Sequence, residues 1–260
     1  MTSPPPPYPT GKGLLAGKHV LVTAAAGTGI GFATARRCIE EGAQVMISDV
    51  HERRLVEAAE ALSALSKQPT PTMICNVAVE ADVQRLWNAA ERTLGGVDVL
   101  VNNAGLGGTA PIAEMTDEQW HAVLDVTLTG TFRMIRAALR HMLPRGRGAI
   151  VNNASVLVWR AQAGQAHYAA AKAGVAALTR CAAIEAAPSG VRVNAVAPSL
   201  ALHKHLVKVT SQELLDELTA REAFGRGAEP WEIANVIVFL ASDYASYMTG
   251  EVVSASSQHA

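Results

Sequence analysis

Two side chains four residues apart carry the clearest chemistry in this sequence. Tyr168 and Lys172, in Tyr168-Ala169-Ala170-Ala171-Lys172, fall on one face of a helix. A phenol with an ordinary pKa of ~10 is a poor base at neutral pH, but a neighbouring ammonium stabilises the phenolate and lowers that value. Such a pair is suited to exchanging a proton with a substrate oxygen. A second cluster, Ala24-Ala25-Ala26-Gly27-Thr28-Gly29-Ile30-Gly31-Phe32, lies between an apolar run and a segment of helical period. Glycines at that junction let backbone amides approach a pyrophosphate, whose charge the helix N-terminus stabilises. A tight turn without a ligand is the alternative. Asp49 follows 18 residues beyond Gly31, near the spacing at which a carboxylate meets adenine-ribose hydroxyls. A carboxylate there repels a 2′-phosphate, and Thr28 and Phe32 stand where an Arg would reach one, so NAD is expected over NADP. Asp49 as a plain helix cap is the competing reading.

The elements that must position these groups are legible as apolar runs rich in β-branched residues alternating with helix-like stretches. The runs are 20–23, 44–48, 72–75, 97–101, 149–152, 191–196 and 252–253; the helical stretches lie near 30–42, 51–66, 80–94, 117–143, 165–187, 212–222 and 230–242. Continuous apolar strands alternating with helices predict an α/β fold, a Rossmann-like, doubly wound parallel sheet of about seven strands covered by helices on both faces. Asn102-Asn103-Ala104-Gly105 follows the fourth run and Ser155 the fifth, and ligands bind at the carboxyl ends of such strands. Ser155 precedes Tyr168 by 13 residues; a turn hydroxyl at the strand end is the alternative. The stretch from about Pro198 to Lys208 is expected to be an irregular, mobile substrate loop.

Composition narrows the partners. The chain has 260 residues, 49% of them hydrophobic and 17% charged, which excludes intrinsic disorder and predicts one domain over 18–260. With 22 Lys+Arg against 23 Asp+Glu the formal charge is -1, so no global basic field draws nucleic acid or an anionic membrane. Three cysteines without CxxC spacing suggest neither a disulfide framework nor a zinc site, and no metal is expected. No signal peptide or membrane-spanning run stands out, giving a cytoplasmic protein as the expectation. Residues 1–17, rich in Pro and Gly, are expected to form a flexible tail.

Taken together, the glycine-rich turn, Asn102-Asn103-Ala104-Gly105, Ser155, Tyr168 and Lys172 resemble the short-chain dehydrogenases/reductases. The resemblance runs from about residue 18 to 253 and includes Asn194-Ala195-Val196-Ala197-Pro198, Phe239-Leu240-Ala241-Ser242 and Thr249-Gly250. It implies hydride transfer with a nicotinamide dinucleotide, Tyr168 as general acid/base and Ser155 holding the substrate oxygen. Lys172 would bind the nicotinamide ribose and lower the Tyr168 pKa. The cofactor-binding set it implies is Ala25, Gly27, Thr28, Gly29, Ile30, Gly31, Asp49, Asn76, Val77, Asn103, Ala104, Gly105, Tyr168, Lys172 and Pro198. Three positions depart from the family pattern. Ala25 replaces the first glycine of the turn, with Ala24 where Thr is usual. Thr127 takes the place of the catalytic-helix Asn of the proton relay, and Asn76 that of an acidic residue near the adenine.

Substrate recognition is carried by less specific signals. Val156, Leu157, Val158 and Trp159 could wall a bulky apolar substrate or simply pack inward. Leu200, His203, Lys204, His205 and Lys208 mix apolar and basic groups suited to a coenzyme A thioester, although a solvated helix face explains the charges too. The turn, His51-Glu52-Arg53-Arg54-Leu55, Val126-Thr127-Leu128-Thr129, Pro198-Ser199-Leu200 and Gly250-Glu251-Val252-Val253-Ser254 also resemble an actinobacterial group within the family. Its members act in cholesterol C/D-ring catabolism, on a ring hydroxyl of an indanone-propionyl-CoA. Two alternatives stand beside that reading: an NADPH-dependent 3-oxoacyl-carrier-protein reductase using the same three catalytic residues, and a catalytically silent dinucleotide-binding sensor. The family further implies a homotetramer paired through the helices near 117–143 and 165–187.

Overall fold

The computed structural model describes residues 3–258, apart from the side chains of 204, 205 and 209. Seven strands form one sheet among the described residues: β1 (His19–Thr23), β2 (Gln44–Asp49), β3 (Thr72–Ile74), β4 (Val99–Asn102), β5 (Gly148–Asn153), β6 (Val191–Pro198) and β7 (Val252–Ala255). All pairings are parallel, in the order β3-β2-β1-β4-β5-β6-β7. The chain winds outward from β1 to β3 and then returns to lay β4 on the other side of β1. That reversal opens a crevice at the carboxyl ends of β1 and β4.

The two-residue period of the strands explains why both faces are apolar. Val20 and Val22 point with Val45, Ile47, Val99, Val101 and Val151 toward one layer, formed by α1 (Ile30–Glu40), α2 (Glu52–Ser66) and α9 (Pro230–Ala241). Leu21, Met46, Leu100 and Ile150 point the other way, onto α3 (Glu80–Leu94), α5 (Gly130–Arg145) and α6 (Ala166–Ala186). The inner strands β1, β2, β4, β5 and β6 bury alternate side chains in opposite cores, so their sequences are largely hydrophobic, whereas the edge strands β3 and β7 stay partly exposed.

Two elements differ from expectation. The single helix expected near 117–143 is interrupted: α4 (Asp117–Leu124) passes through a π-helical stretch, Asp125–Thr129, before α5. The widened turn sits where Gly130 meets Val77, whose Cγ2 would lie 2.6 Å from a Cβ at Gly130. The stretch after Pro198 is not wholly irregular either. It contains α7 (Lys204–Val209), started by His203 Nδ1 accepting from Leu206 N at 3.3 Å, and is followed by α8 (Gln212–Ala220).

The N-terminal stretch also departs from the flexible tail expected. Residues 3–13 run without regular structure but are tied down along α1 and α9. The Tyr8 hydroxyl donates to Glu40 at 2.7 Å, its ring packs 5.3 Å from Trp231, and the Arg36 guanidinium lies 4.8 Å from its centroid. Glu41 accepts from Lys12 N at 2.8 Å and Leu14 N at 3.0 Å, and Leu15 is fully buried. Glu41, at the end of α1, thus satisfies backbone donors of a segment that forms no regular structure of its own.

Candidate active site

The crevice is a cleft of 1380 Å³, large enough for a dinucleotide and a second ligand, since drug-sized pockets run to about 1,000 Å³. Its floor is the turn between β1 and α1. Gly27 has φ 104°, a conformation that favours glycine. At Gly31 a Cβ would stand 2.4 Å from both Ala24 O and Asn103 Nδ2, so only glycine lets α1 start this close to the strand ends. No side chain caps the start of α1, which leaves its first amides directed at the cleft. Asp49, 7% exposed at the tip of β2, braces the same turn. Its Oδ2 accepts from Ala26 N at 3.1 Å and its Oδ1 from His51 N at 3.0 Å. Burial raises the Asp49 pKa above the usual carboxylate value, opposed by the Ala26 amide and the charge of Arg54.

The ends of β4 and β5 are cross-linked by two asparagine pairs. Asn102 donates to Asn152 Oδ1 at 2.8 Å, and Asn152 donates in turn to Thr179 Oγ1 on α6 at 2.9 Å. One residue on, Asn153 donates to Asn103 Oδ1 and Asn103 to Ala24 O, each at 2.9 Å. These contacts fix the strand ends relative to α6, the helix that carries Tyr168 and Lys172. The Lys172 ammonium donates to the Asn153 carbonyl and lies 5.5 Å from the Tyr168 ring centroid. A Cβ at Gly105 would stand 3.4 Å from that ammonium, so the loop after β4 runs in contact with Lys172. Ser155, at the end of β5, hydrogen-bonds the Tyr168 side chain and accepts from Leu157 N at 3.2 Å. Burial pushes the Tyr168 phenol up to about 12, against a lowering by the Ser155 hydrogen bond, and pushes Lys172 down to about 8.

A family profile described as Enoyl-(Acyl carrier protein) reductase matches residues 24–257. A short-chain dehydrogenase of Mycobacterium smegmatis, solved by crystallography, is 56% identical; it superimposes with a TM-score of 0.87 over 98% of each chain. The chain belongs to the short-chain dehydrogenase/reductase family. Among its relatives is a Mycobacterium tuberculosis protein named (5R,7aS)-5-hydroxy-7a-methyl-1-oxo-2,3,5,6,7,7a-hexahydro-1H-indene-carboxyl-CoA reductase, 63% identical over 96% of this chain and 95% of that one. Another is a cis-4-hydroxycyclohexanecarboxylate dehydrogenase of Sinomonas cyclohexanicum, 42% identical over 91% of this chain and 94% of that one. As a short-chain dehydrogenase/reductase the protein is an oxidoreductase acting on CH–OH groups, and the cofactor of the family is a nicotinamide dinucleotide.

The residues along the cleft fit such a cofactor. Gly27, Thr28, Gly29, Ile30, Gly31, Asp49, Asn76, Val77, Asn103, Ala104, Gly105, Tyr168, Lys172 and Pro198 all line it, as do Ser155, Leu200 and His203. Four expectations for this short-chain dehydrogenase/reductase are met differently. Ala25 is fully buried and joins the core between β1 and α1 instead of facing the cleft. Thr127 is also fully buried. Its hydroxyl accepts from Leu106 N at 3.0 Å and donates to Leu106 O at 3.2 Å, which makes it a support for the loop after β4. Trp159, just after the short 3₁₀ turn Val156–Val158, is 53% exposed and is not among the residues lining the cleft; Val156 and Leu157 are the apolar wall there. His203 lies against the glycine-rich turn, its ring 3.8 Å from a Cβ placed at Gly29. The Lys204 side chain lies outside the described residues.

The structure also brings in residues that sequence reasoning passed over. Arg160 and Gln162 line the cleft from the loop between Ser155 and Tyr168, and their position there was a usable signal. Arg53 and Arg54 border it near Asp49, with Arg53 ion-paired to Glu57 at 2.7 Å. Arg221 and Gln258 arrive from α8 and the C-terminal segment through contacts that no local pattern announces. Among the described residues no His, Cys, Asp and Glu cluster is arranged to hold a metal, and no helix is long and apolar enough to cross a membrane.

Proposed function

We propose that the protein interconverts a secondary alcohol and a ketone on a fused-ring coenzyme A thioester, with NAD(H) as cofactor. The observation that carries this is the convergence of Ser155, Tyr168 and Lys172 on the one cleft that also holds the glycine-rich turn and Asp49. The bound dinucleotide supplies the hydride acceptor or donor. Tyr168 acts as general acid/base: in ketone reduction its hydroxyl gives a proton to the carbonyl oxygen, and in alcohol oxidation its phenolate takes that proton back. Ser155 donates a hydrogen bond to the same oxygen. Lys172, held by the Asn153 carbonyl, places a positive charge beside the phenolate and offsets the burial that otherwise keeps Tyr168 protonated.

Asp49 supports NAD over NADP, because a buried carboxylate at the tip of β2 repels a 2′-phosphate. For the substrate, the apolar wall of Val156, Leu157, Leu200, Leu206, Leu214 and Leu218 suits fused rings, and Arg160, Lys208 and Arg221 bring cations suited to phosphates. The 63% identical relative is named for a bicyclic hydroxy-ketone joined to coenzyme A, a molecule with both features.

Fluorescence titration with NADH and NADPH, followed by turnover of that thioester with wild type and Tyr168→Phe, tests the reading. NADH is expected to bind more tightly than NADPH. Tyr168→Phe is expected to keep NADH binding and lose at least about 10²-fold in kcat, the usual worth of a positioned acid/base. A preference for NADPH with turnover of 3-oxoacyl carrier-protein thioesters would favour the acyl reductase instead. Dinucleotide binding without turnover of either substrate would favour a sensor.

A further inference from the structure

Beyond α8 stands a carboxylate with no part in the scheme above. Glu222 is 4% exposed, and its two oxygens accept from four uncharged donors. Oε1 receives Leu200 N at 3.3 Å and Gln258 Nε2 at 2.9 Å; Oε2 receives Ser199 Oγ at 3.1 Å and Ser257 Oγ at 2.7 Å. The donors come from two separate segments, the exit of β6 and the C-terminal stretch after β7, while Glu222 itself follows α8. Main-chain bonds run beside them, Ala223 N to Ser257 O at 2.8 Å and Ser199 N to Ala255 O at 3.3 Å, with an antiparallel bridge between Glu222 and Gln258. Both ends of the segment carrying α7 and α8 are thereby tied to the C-terminus. Leu206, Leu214 and Leu218 of that segment line the cleft, and so does Gln258. A buried charge is tolerated only when its hydrogen bonds are satisfied, so the four donors hold Glu222 in place as firmly as it holds them.

We infer that Glu222 is a positioning residue that clamps the C-terminal segment onto the 199–222 lid and makes Gln258 part of the substrate-binding wall. The inference rests on the reading of this cleft as the site of turnover. Glu222 acts through Leu200 and Gln258 and touches none of the catalytic trio, so its loss weakens ligand capture and leaves the hydride and proton steps alone. The split of the four donors makes the prediction specific. In Glu222→Gln the remaining oxygen still accepts from the two N–H groups, and the new amide donates to the two serine hydroxyls, which rotate to accept. In Glu222→Ala all four contacts are lost.

The test measures KM and kcat of the full-length enzyme with NAD(H) and the bicyclic hydroxy-ketone coenzyme A thioester. Glu222→Ala and Gln258→Ala are each expected to raise substrate KM by about tenfold or more with kcat within about threefold, the signature of lost binding and not of lost chemistry. Glu222→Gln is expected to stay within about threefold of wild type in both constants, and the Glu222→Ala/Gln258→Ala double variant to be no worse than Glu222→Ala alone. An unchanged KM in Gln258→Ala, or Glu222→Gln as impaired as Glu222→Ala, would overturn the clamp. Should Glu222→Ala fail to fold, Gln258→Ala and Glu222→Gln decide the matter. Should wild type not turn over this thioester, the functional reading fails separately, and hydrogen exchange across 199–222 judges the clamp. Exchange there is expected to speed in a Ser257→Ala/Gln258→Ala variant and not in Glu222→Gln; equal exchange in the two variants counts against it.

Discussion

Tyr168 and Lys172 are moved from their ordinary titration by the same cause, burial, and in directions that oppose their proposed work. The phenol is pushed from 10.0 up to about 12 and the ammonium from 10.5 down to about 8. At pH 7 Lys172 is protonated both folded and unfolded, so the protein bears its burial, about 3 kcal/mol at 1.36 kcal/mol per unit, reduced by the hydrogen bond to Asn153. Between pH 8 and 10.5 the unfolded chain holds that proton more tightly than the folded protein, and stability rises with pH. Tyr168 has the opposite slope at higher pH: from 10 to 12 the folded protein keeps the proton that the unfolded chain has lost, and stability falls. Lys172→Met is therefore expected to raise the melting temperature of the ligand-free protein at pH 7, to show less stabilisation between pH 8 and 10.5, and to cut turnover by about 10² or more. Calorimetry across pH, with activity measured alongside, checks it. A Lys172→Met protein that melts lower than wild type at pH 7 would mean that the Asn153 hydrogen bond outweighs burial.

The turn from β1 into α1 shows how tightly one element is bound to its neighbours. Ala24 adopts φ 51° without being glycine, a left-handed conformation that costs a residue with a Cβ roughly 1–2 kcal/mol. Its carbonyl is held by Asn103, and Ala26 N is held by Asp49. The turn is thus braced from β2 and from the residue that follows β4. Gly31 is the position with no tolerance, since a Cβ would collide with Ala24 O and Asn103 Nδ2. Gly31→Ala is expected to destabilise the protein by about 1–3 kcal/mol, the usual range for overpacking, and to weaken NADH binding about tenfold or more. Denaturant melts and the NADH titration read the two effects separately, and a variant matching wild type in both would remove Gly31 from the cofactor cradle. The π-helical stretch at Asp125–Thr129 is a comparable adjustment. It lets Thr127 meet Leu106 and keeps the loop after β4 beside Lys172.

Across the whole molecule, the N-terminal segment, the lid and the C-terminal segment all close onto the sheet through buried carboxylates. Glu41 accepts the backbone of Lys12 and Leu14 and pairs with Arg37, while Glu222 gathers the lid and residues 257 and 258. The surface leaves apolar groups uncovered on the long helices, Phe132 of α5 at 40% and Ile184 of α6 at 77% exposure. Such residues favour burial against another subunit. A homotetramer paired through α4–α5 and α6 is expected, and sedimentation velocity at micromolar concentration checks it. A monomer alone would show that these faces serve another purpose.

Much of this was legible in the sequence because it depends on local pattern. Apolar runs with a β-branched bias marked the strands, most clearly the inner five, which are buried on both faces; the edge strands β3 and β7 are partly exposed. Tyr168 and Lys172 announced themselves because helical spacing alone places them together, and the glycines of the turn because backbone geometry demands them. What only the tertiary structure decided depends on segments far apart in sequence. Trp159 is left half-exposed outside the cleft lining, and Thr127 is hydrogen-bonded to a backbone 21 residues away. The N-terminal tail is held by Glu41 at the end of α1, and Gln258, which lines the cleft, donates to Glu222 36 residues earlier. Periodicity records which face a residue presents within its own element. Which distant donor meets which buried acceptor is settled by packing, where the penalty for an unsatisfied polar group selects the arrangement.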